Sequence, residues 1–331
     1  MITHFSFIPN AFRATKRPRG GSLQMLFDFT SAESLPGDAL IQRHADPRWG
    51  VDSEYGRLLD VLVAAPSHLE IVPCNSVSVE ALANGILCCT DTAGQQHASF
   101  IRALEDKGVA CHLVEASASL PDLTFTRDAV LMSPWGMIEL KPRAEHRADE
   151  VAHLRTAIQQ LGIRTLGRIE EGSIEGGDVC ILRPGVVAIG YSGERTDEKG
   201  ARALARLFEA RGWRAIFCRF NPYFLHLDTL FTVVDRNRAV ACIEELEPAF
   251  LDQLAALGID LIPASVAEVK RLGTNLVSLG AGRVLSPADN GRINGELERL
   301  GYEVVPVDVD QFTRCGGGVH CLTMPLSRLP G

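Results

Sequence analysis

Five times along the chain, an amphipathic stretch ends in a glycine with an apolar residue four positions before it and another directly after it. The copies are "LEDKGV" ending at Val109, "IQQLGI" at Ile163, "FEARGW" at Trp213, "LAALGI" at Ile259 and "LERLGY" at Tyr302, and their glycines stand 43 to 54 residues apart. Each copy reads as the last turn of a helix stopped by a left-handed glycine and followed by a strand such as "VACHLVE", "WRAIFC" or "YEVVPVDV". Strand-like pairs lie between copies, for example "VCILRPGVVAIGYS" over 179–192 and "TNLVSLGAGRVLSP" over 274–287, each broken by glycine at a hairpin position. The unit is therefore strand, strand, helix, strand. One such unit cannot bury its apolar face alone, so five are expected to pack around a common axis. The fold class expected is α/β, a five-fold pseudosymmetric α/β propeller of ββαβ repeats. The repeat count by itself leaves open an ordinary α/β protein, where the same helix-glycine-strand connection recurs.

Polar clusters fall at similar phases of this repeat. Counted from the preceding glycine, Asp128 stands at +20, Glu175 at +13, His226 at +14, Asn275 at +17 and Cys321 at +20. Units related by rotation would bring these positions to one face, near the axis.

The totals exclude several classes of function. A net charge of −8 argues against a nucleic-acid binder, which needs a broad basic surface. Apolar runs stop at about ten residues, where a membrane span needs about 20. A soluble protein with no nucleic-acid or membrane partner is expected. The nine cysteines are odd in number and form no CxxC, so neither a disulfide framework nor a zinc ribbon is indicated, and a reducing cytoplasm fits them. The first 27 residues lack acidic side chains and contain "RATKRPRGG". Pro9, Pro18 and Gly20-Gly21 interrupt any amphipathic presequence helix. Residues 1–50 are therefore expected to form a partly mobile N-terminal extension, and 51–331 a single catalytic domain.

Near the end stands "RCGGGVHCLTMPLSR", residues 314–328. Three consecutive glycines disfavour any regular element and suit a sharp turn or a close backbone approach. Taken alone, the stretch also fits an ordinary loop before a last strand, with a small buried thiol.

"FTRD" (125–128), "EGGD" (175–178), "GERT" (193–196), "HLDT" (226–229) and "GGGVHC" (316–321) together resemble the guanidino-group-modifying superfamily, the penteins. That superfamily includes arginine deiminase, dimethylarginine dimethylaminohydrolase, agmatine deiminase and the amidinotransferases. The resemblance covers about residues 55 to 328, in the family's order. It implies a small-molecule guanidino substrate, no cofactor and no metal. Relatives are often dimers, and a homodimer stays open beside a monomer.

By this resemblance Cys321 is the nucleophile that attacks the guanidinium carbon, through a covalent thiouronium-type intermediate. A thiolate is required, and a nearby cation lowers a thiol's pKa. His226 matches the general acid and base, a role imidazole can fill near neutral pH. Glu175 resembles the acid oriented toward that histidine. Asp128 and Asp228 resemble the two carboxylates that grip the guanidinium edges, since bidentate acids match a planar cation. Arg143 and Arg195 occupy the places of the arginines that hold an α-carboxylate. Phe125 is expected along the channel for the aliphatic stem, Gly318 against the substrate, and Asp122 at a substrate α-amino group. Asp178 is expected to support the site from behind by bonding local backbone, Cys315 to be a packed thiol, and His320 a loop residue flanking Cys321.

Within the family the signals divide. "HLDT" is similar to arginine deiminase, whereas dimethylarginine hydrolases typically carry lysine where Asp228 stands. Asp122 is more like the dimethylarginine enzymes, and the helical insertion of larger bacterial arginine deiminases is missing. The sequence thus points to a hydrolase of the C–N bond of L-arginine or an N-methylated arginine, giving citrulline and ammonia or an amine. An amidinotransferase is the first alternative and a non-catalytic pentein binding protein the second. A metal hydrolase using His226, Asp228, His320 and Cys321 is disfavoured because the histidines lack helical zinc spacing.

Overall fold

The computed structural model describes residues 48–74 and 76–330, which fall in one compact unit. The extension expected over 1–50 lies outside the described residues except at its end. There Trp49 is buried and Gly50 bridges to Ser327, so both are part of the folded body.

Fifteen strands form five three-stranded sheets. They are β1 (Leu58–Ala64), β2 (Ala110–Val114), β3 (Val130–Ser133), β4 (Gly136–Glu139), β5 (Thr165–Arg168), β6 (Val179–Arg183), β7 (Val186–Tyr191) and β8 (Arg214–Arg219). Then come β9 (Phe231–Asp235), β10 (Arg238–Ala241), β11 (Asp260–Pro263), β12 (Val277–Gly280), β13 (Arg283–Pro287), β14 (Glu303–Val307) and β15 (Met324–Arg328). The helices are α1 (Ser76–Ala83), α2 (Thr90–Glu105), α3 (Glu150–Gln160), α4 (Glu198–Glu209), α5 (Pro248–Ala256), α6 (Val266–Val269), α7 (Gly291–Arg299) and α8 (Asp310–Arg314).

Every sheet repeats one plan. Its middle strand pairs antiparallel with the first and parallel with the third, and a helix makes the crossover between the middle and third strands. In four blades the three strands are consecutive; the fifth takes its first strand, β15, from the far end of the chain and its others, β1 and β2, from the near end. That pairing, with Leu62 opposite Met324, closes the ring. The protein is a five-fold pseudosymmetric α/β propeller, as the repeat predicted.

The repeat signature has a direct structural cause. All five glycines take positive φ, from 68° at Gly258 to 91° at Gly301. In each copy the residue after glycine donates its N–H to the carbonyl of the residue four before it, as Val109 does to Leu104 at 3.1 Å and Trp213 to Phe208 at 3.1 Å. This is the Schellman closure of a helix, and the two apolar residues that mark the pattern are the pair it brings together. Both are buried in all five copies. Each such side chain contributes about 1.5–3 kcal/mol through burial.

Burial falls from the axis outward. The first strands β3, β6, β9, β12 and β15 are buried almost throughout, whereas third strands such as β5 and β11 are mostly exposed or half-buried. First strands of neighbouring blades lie against each other, β15 by β3, β6 by β9 and β9 by β12. Strands covered on both faces read as continuous apolar runs, which is the pattern of "VLMS" and "FTVVD". The segments leading into these strands therefore gather at one end of the axis.

Candidate active site

The gathered segments carry the polar clusters of the sequence. Glu175 and His226 are extended residues directly before equivalent 3-10 turns, Gly176–Asp178 and Leu227–Thr229, at the starts of β6 and β9. Pseudosymmetry thus sets them side by side, with His226 Nε2 and Glu175 Oε2 2.9 Å apart. Gly177 makes room for this, since a Cβ there would stand 2.6 Å from the imidazole Nδ1. Asp178 Oδ1 accepts the Leu227 N–H at 2.8 Å and so ties one turn to the next.

Cys321, at the entrance to β15, lies 3.6 Å from Asp228 Oδ2 and 3.4 Å from Asn275 Nδ2. Asn275 Oδ1 accepts the His320 N–H at 2.9 Å, and His320 Nδ1 lies 2.8 Å from Asp228 Oδ2. The other oxygen, Asp228 Oδ1, is buried with no hydrogen-bond partner among the described residues. Asp128 is differently placed: Oδ1 accepts from the Gly177 N–H at 3.1 Å and Oδ2 from Arg147 Nη1 at 2.7 Å. His226 Nδ1 is 3.8 Å from Asp128 Oδ1.

Asp122, Phe125, Asp128, Arg195, His226 and Cys321 line one partly enclosed pocket. Its free volume is about 30 Å³, room for a water molecule and too little for an amino acid. The loop ahead of α1, carrying Cys74, forms part of its wall, as does Cys315. Gly316 and Gly317 line it as well. Gly318 does not stand against this space as expected; a Cβ there would meet Asn275 Oδ1 at 2.5 Å, so the glycine serves that side chain.

The two arginines expected at an α-carboxylate divide. Arg195 is buried, with Nη1 3.4 Å from Glu175 Oε1, and lines the pocket. Arg143 is exposed, and its side chain lines an outer cleft of about 530 Å³ shared with Arg195. Only its backbone N–H reaches inward, to Glu175 Oε1 at 3.1 Å. The residue that does enter the pocket is Arg147, whose guanidinium holds Asp128, Glu150 and the Phe125 carbonyl. Nothing in "AEHRADE" marked Arg147 among the surface arginines, because its partners lie in other segments. Asn275 was visible only as a phase marker of the repeat.

Electrostatics prime the site. Burial alone would lower the His226 pKa, yet Asp128, Glu175 and Asp178 overcome it and push it up to about 10, so the imidazole is cationic at neutral pH. Glu175, despite its burial, is held well below the usual carboxylate range by Arg195, His226 and Arg147. Burial, followed by Asp228 and Asp128, pushes the Cys321 thiol well above its ordinary value. A cation that neutralised the two carboxylates would lower it.

Donor atoms of Asp128, Glu175 and His226 lie within 4.8 Å of one another, close enough to hold a metal ion. Arg147 and Arg195 already press positive charge on those carboxylates, at 2.7 Å on Asp128 and 3.4 Å on Glu175. The set weighed from sequence, His226, Asp228, His320 and Cys321, is not among the three-donor clusters of the described residues.

The sequence model of the family described as N,N dimethylarginine dimethylhydrolase, eukaryotic, matches residues 79–328. The N(G),N(G)-dimethylarginine dimethylaminohydrolase of Pseudomonas aeruginosa is 30% identical over 234 residues, 70% of this chain and 87% of that one. An arginine deiminase of Mycobacterium avium is 32% identical over 247 residues, 64% of this chain and 61% of that one. Among solved structures, a cysteine-to-serine variant of the Pseudomonas aeruginosa enzyme complexed with citrulline aligns with TM-score 0.67 at 25% identity, covering 81% of this chain and 99% of that chain. The N-terminal domain of a cyanobacterial arginine dihydrolase shares the fold, with TM-score 0.72 at 17% identity over 82% of this chain and 98% of that one.

Proposed function

The chain belongs to the dimethylarginine dimethylaminohydrolase family of guanidino hydrolases, and from that premise we propose that it hydrolyses L-arginine to citrulline and ammonia, with N-methylated arginine as the poorer substrate. The observation that carries this reading is the free Oδ1 of Asp228 beside Cys321. A buried carboxylate oxygen without a donor costs about 1–3 kcal/mol, which an unsubstituted guanidinium N–H recovers on binding. Methylation of that nitrogen removes donors and adds bulk.

Binding of the guanidinium offsets the charges of Asp228 and Asp128, and the Cys321 thiol loses its proton to water. The thiolate attacks the guanidinium carbon, and the His226 imidazolium protonates the departing ammonia, leaving a covalent thiouronium on Sγ. Neutral His226 then takes a proton from water as it attacks the same carbon, and as the C–S bond breaks the Cys321 thiolate leaves and the remaining hydroxyl proton passes to solvent, releasing citrulline. Glu175 holds the imidazole through its 2.9 Å contact, and Asp178 fixes the backbone of the turn that carries it. Arg195 and Asp122, which line the pocket, take the α-carboxylate and α-amino groups in this reading. Arg143 lines the outer cleft, and Phe125 lines the pocket where the stem would lie.

The test is a ureido-product colour assay with product mass, offering arginine, monomethylarginine, dimethylarginine, agmatine and guanidinoacetate separately. Citrulline from arginine at the highest kcat/KM is expected. Citrulline from methylated arginine alone would overturn the substrate assignment, and full turnover by Cys321→Ser would overturn the covalent route.

A further inference from the structure

A second cluster stands at the mouth of the pocket. The Sγ of Cys74, a carboxylate oxygen of Asp122 and a ring nitrogen of His146 all lie within 4.8 Å of one another. His146 Nε2 and Asp122 Oδ2 are 2.7 Å apart, and Cys74 Sγ is 3.3 Å from Arg195 Nη2. The three come from separate segments. Cys74 sits on the loop before α1, Asp122 on the segment leading to β3, and His146 on the 3-10 turn Glu145–Arg147.

We propose that Cys74, Asp122 and His146 bind a zinc ion that closes the mouth of the pocket. A thiolate, an imidazole and a carboxylate form a mixed set that suits zinc, whereas magnesium and calcium take oxygen ligands. A tetrahedral site needs ligand atoms about 3.3–3.8 Å apart, as follows from zinc bonds of about 2.0–2.3 Å, so the 2.7 Å His146–Asp122 pair has to open and a pair near 4.8 Å has to close, each by about 1 Å or less. Thiolate and carboxylate together balance the charge of the ion. The outer cleft, which Cys74 and His146 both line, gives solvent access. Three protein ligands leave a fourth position for water.

The location gives the ion a consequence. With about 30 Å³ of free space in the pocket, a substrate needs its wall to yield, and the Cys74 loop is part of that wall. Zinc would fasten that loop to Asp122 and His146 on the blade wall. This closing role rests on the hydrolase reading of the pocket, whereas the binding of the ion does not.

The experiment uses full-length protein stripped of metal with a chelator, and cobalt(II) as a spectroscopic probe in place of zinc. One equivalent of cobalt is expected to give a thiolate-to-cobalt charge-transfer band in the wild type and in Cys321→Ala. The same band is expected to vanish in Cys74→Ser, and affinity to fall by about tenfold or more in His146→Ala. A band retained in Cys74→Ser, or absent from Cys321→Ala, would overturn the site by placing the metal elsewhere. No substrate is needed, so this result is independent of the hydrolase assignment. For the closing role, zinc is titrated against each protein's own metal-free rate. Inhibition lost in Cys74→Ser supports it, and equal inhibition of both proteins overturns it.

Discussion

His320 Nδ1 and Asp228 Oδ2 lie 2.8 Å apart, and that same carboxylate oxygen is 3.6 Å from the thiol of Cys321. The far nitrogen of the imidazole, Nε2, is 3.8 Å from Glu54 Oε2, and Glu54 bonds Arg127 and stands 4.0 Å from Arg328. A buried file of polar groups therefore runs from the nucleophile through Asp228 and His320 to Glu54, Arg127 and Arg328. Glu54 sets its negative charge beside the two buried arginines, which is how a dry interior tolerates them.

Asp228→Asn is expected to make the thiol more reactive and the enzyme less active. Removing that carboxylate takes away one of the charges that raise the Cys321 pKa. Iodoacetamide alkylation of the free protein below the thiol pKa should speed up about tenfold for each unit the pKa falls. Turnover of the guanidino substrate, measured as kcat/KM, should fall by about 10²–10³ with the loss of the grip on the cation. Slower alkylation in the variant would contradict this electrostatic account.

Glu54→Gln is expected to destabilise the fold by about 3–5 kcal/mol, because buried Arg127 would lose its ion-pair partner and buried Arg328 a nearby carboxylate. Burial would raise the Glu54 pKa, yet Arg127, His320 and Arg328 hold it well below the usual carboxylate range. Urea unfolding followed by circular dichroism measures the loss. A change under 1 kcal/mol would show that the arginines find other partners.

Gly318→Ala tests the glycine triplet. The added methyl would stand 2.5 Å from Asn275 Oδ1, the atom that receives the His320 N–H. Overpacking of this kind costs about 1–3 kcal/mol, and the shift of Asn275 also moves its contact with Cys321. A lower Tm together with a lower kcat is expected. A variant with wild-type kcat would separate Asn275 from the chemistry.

His97 gives a pH dependence outside the site. It is 4% exposed, its Nε2 has no hydrogen-bond partner among the described residues, and burial pushes its pKa down to about 4. The unfolded chain, with a histidine pKa of about 6.5, binds the proton more tightly than the folded one. The stability His97 contributes is therefore full above about pH 6.5 and lost as pH falls toward 4, by on the order of 3 kcal/mol. Chemical denaturation at pH 7 and pH 4.5 should show a smaller pH difference in His97→Leu than in wild type. An equal difference would mean that His97 does not carry the effect.

The repeat was legible because its cause is local. A helix end closed by glycine needs its own apolar pair, and that pair lies five residues apart in the chain, as Leu104 and Val109 or Leu254 and Ile259 do. Five copies then determined the propeller, since the units bury their faces only against one another. The same regularity placed Asp128, Glu175, His226, Asn275 and Cys321 at strand entrances. Tertiary structure alone decided which side chains those residues meet. Arg147 and Arg143 are four positions apart in one polar segment, yet one is buried against Asp128 and the other faces the outer cleft. Glu54 finds Arg127 and Arg328 only because β15 returns to pair with β1 and closes the ring. Periodic burial is written residue by residue along the chain, whereas the partner of a buried charge is set by contacts between distant segments, and no local pattern encodes them.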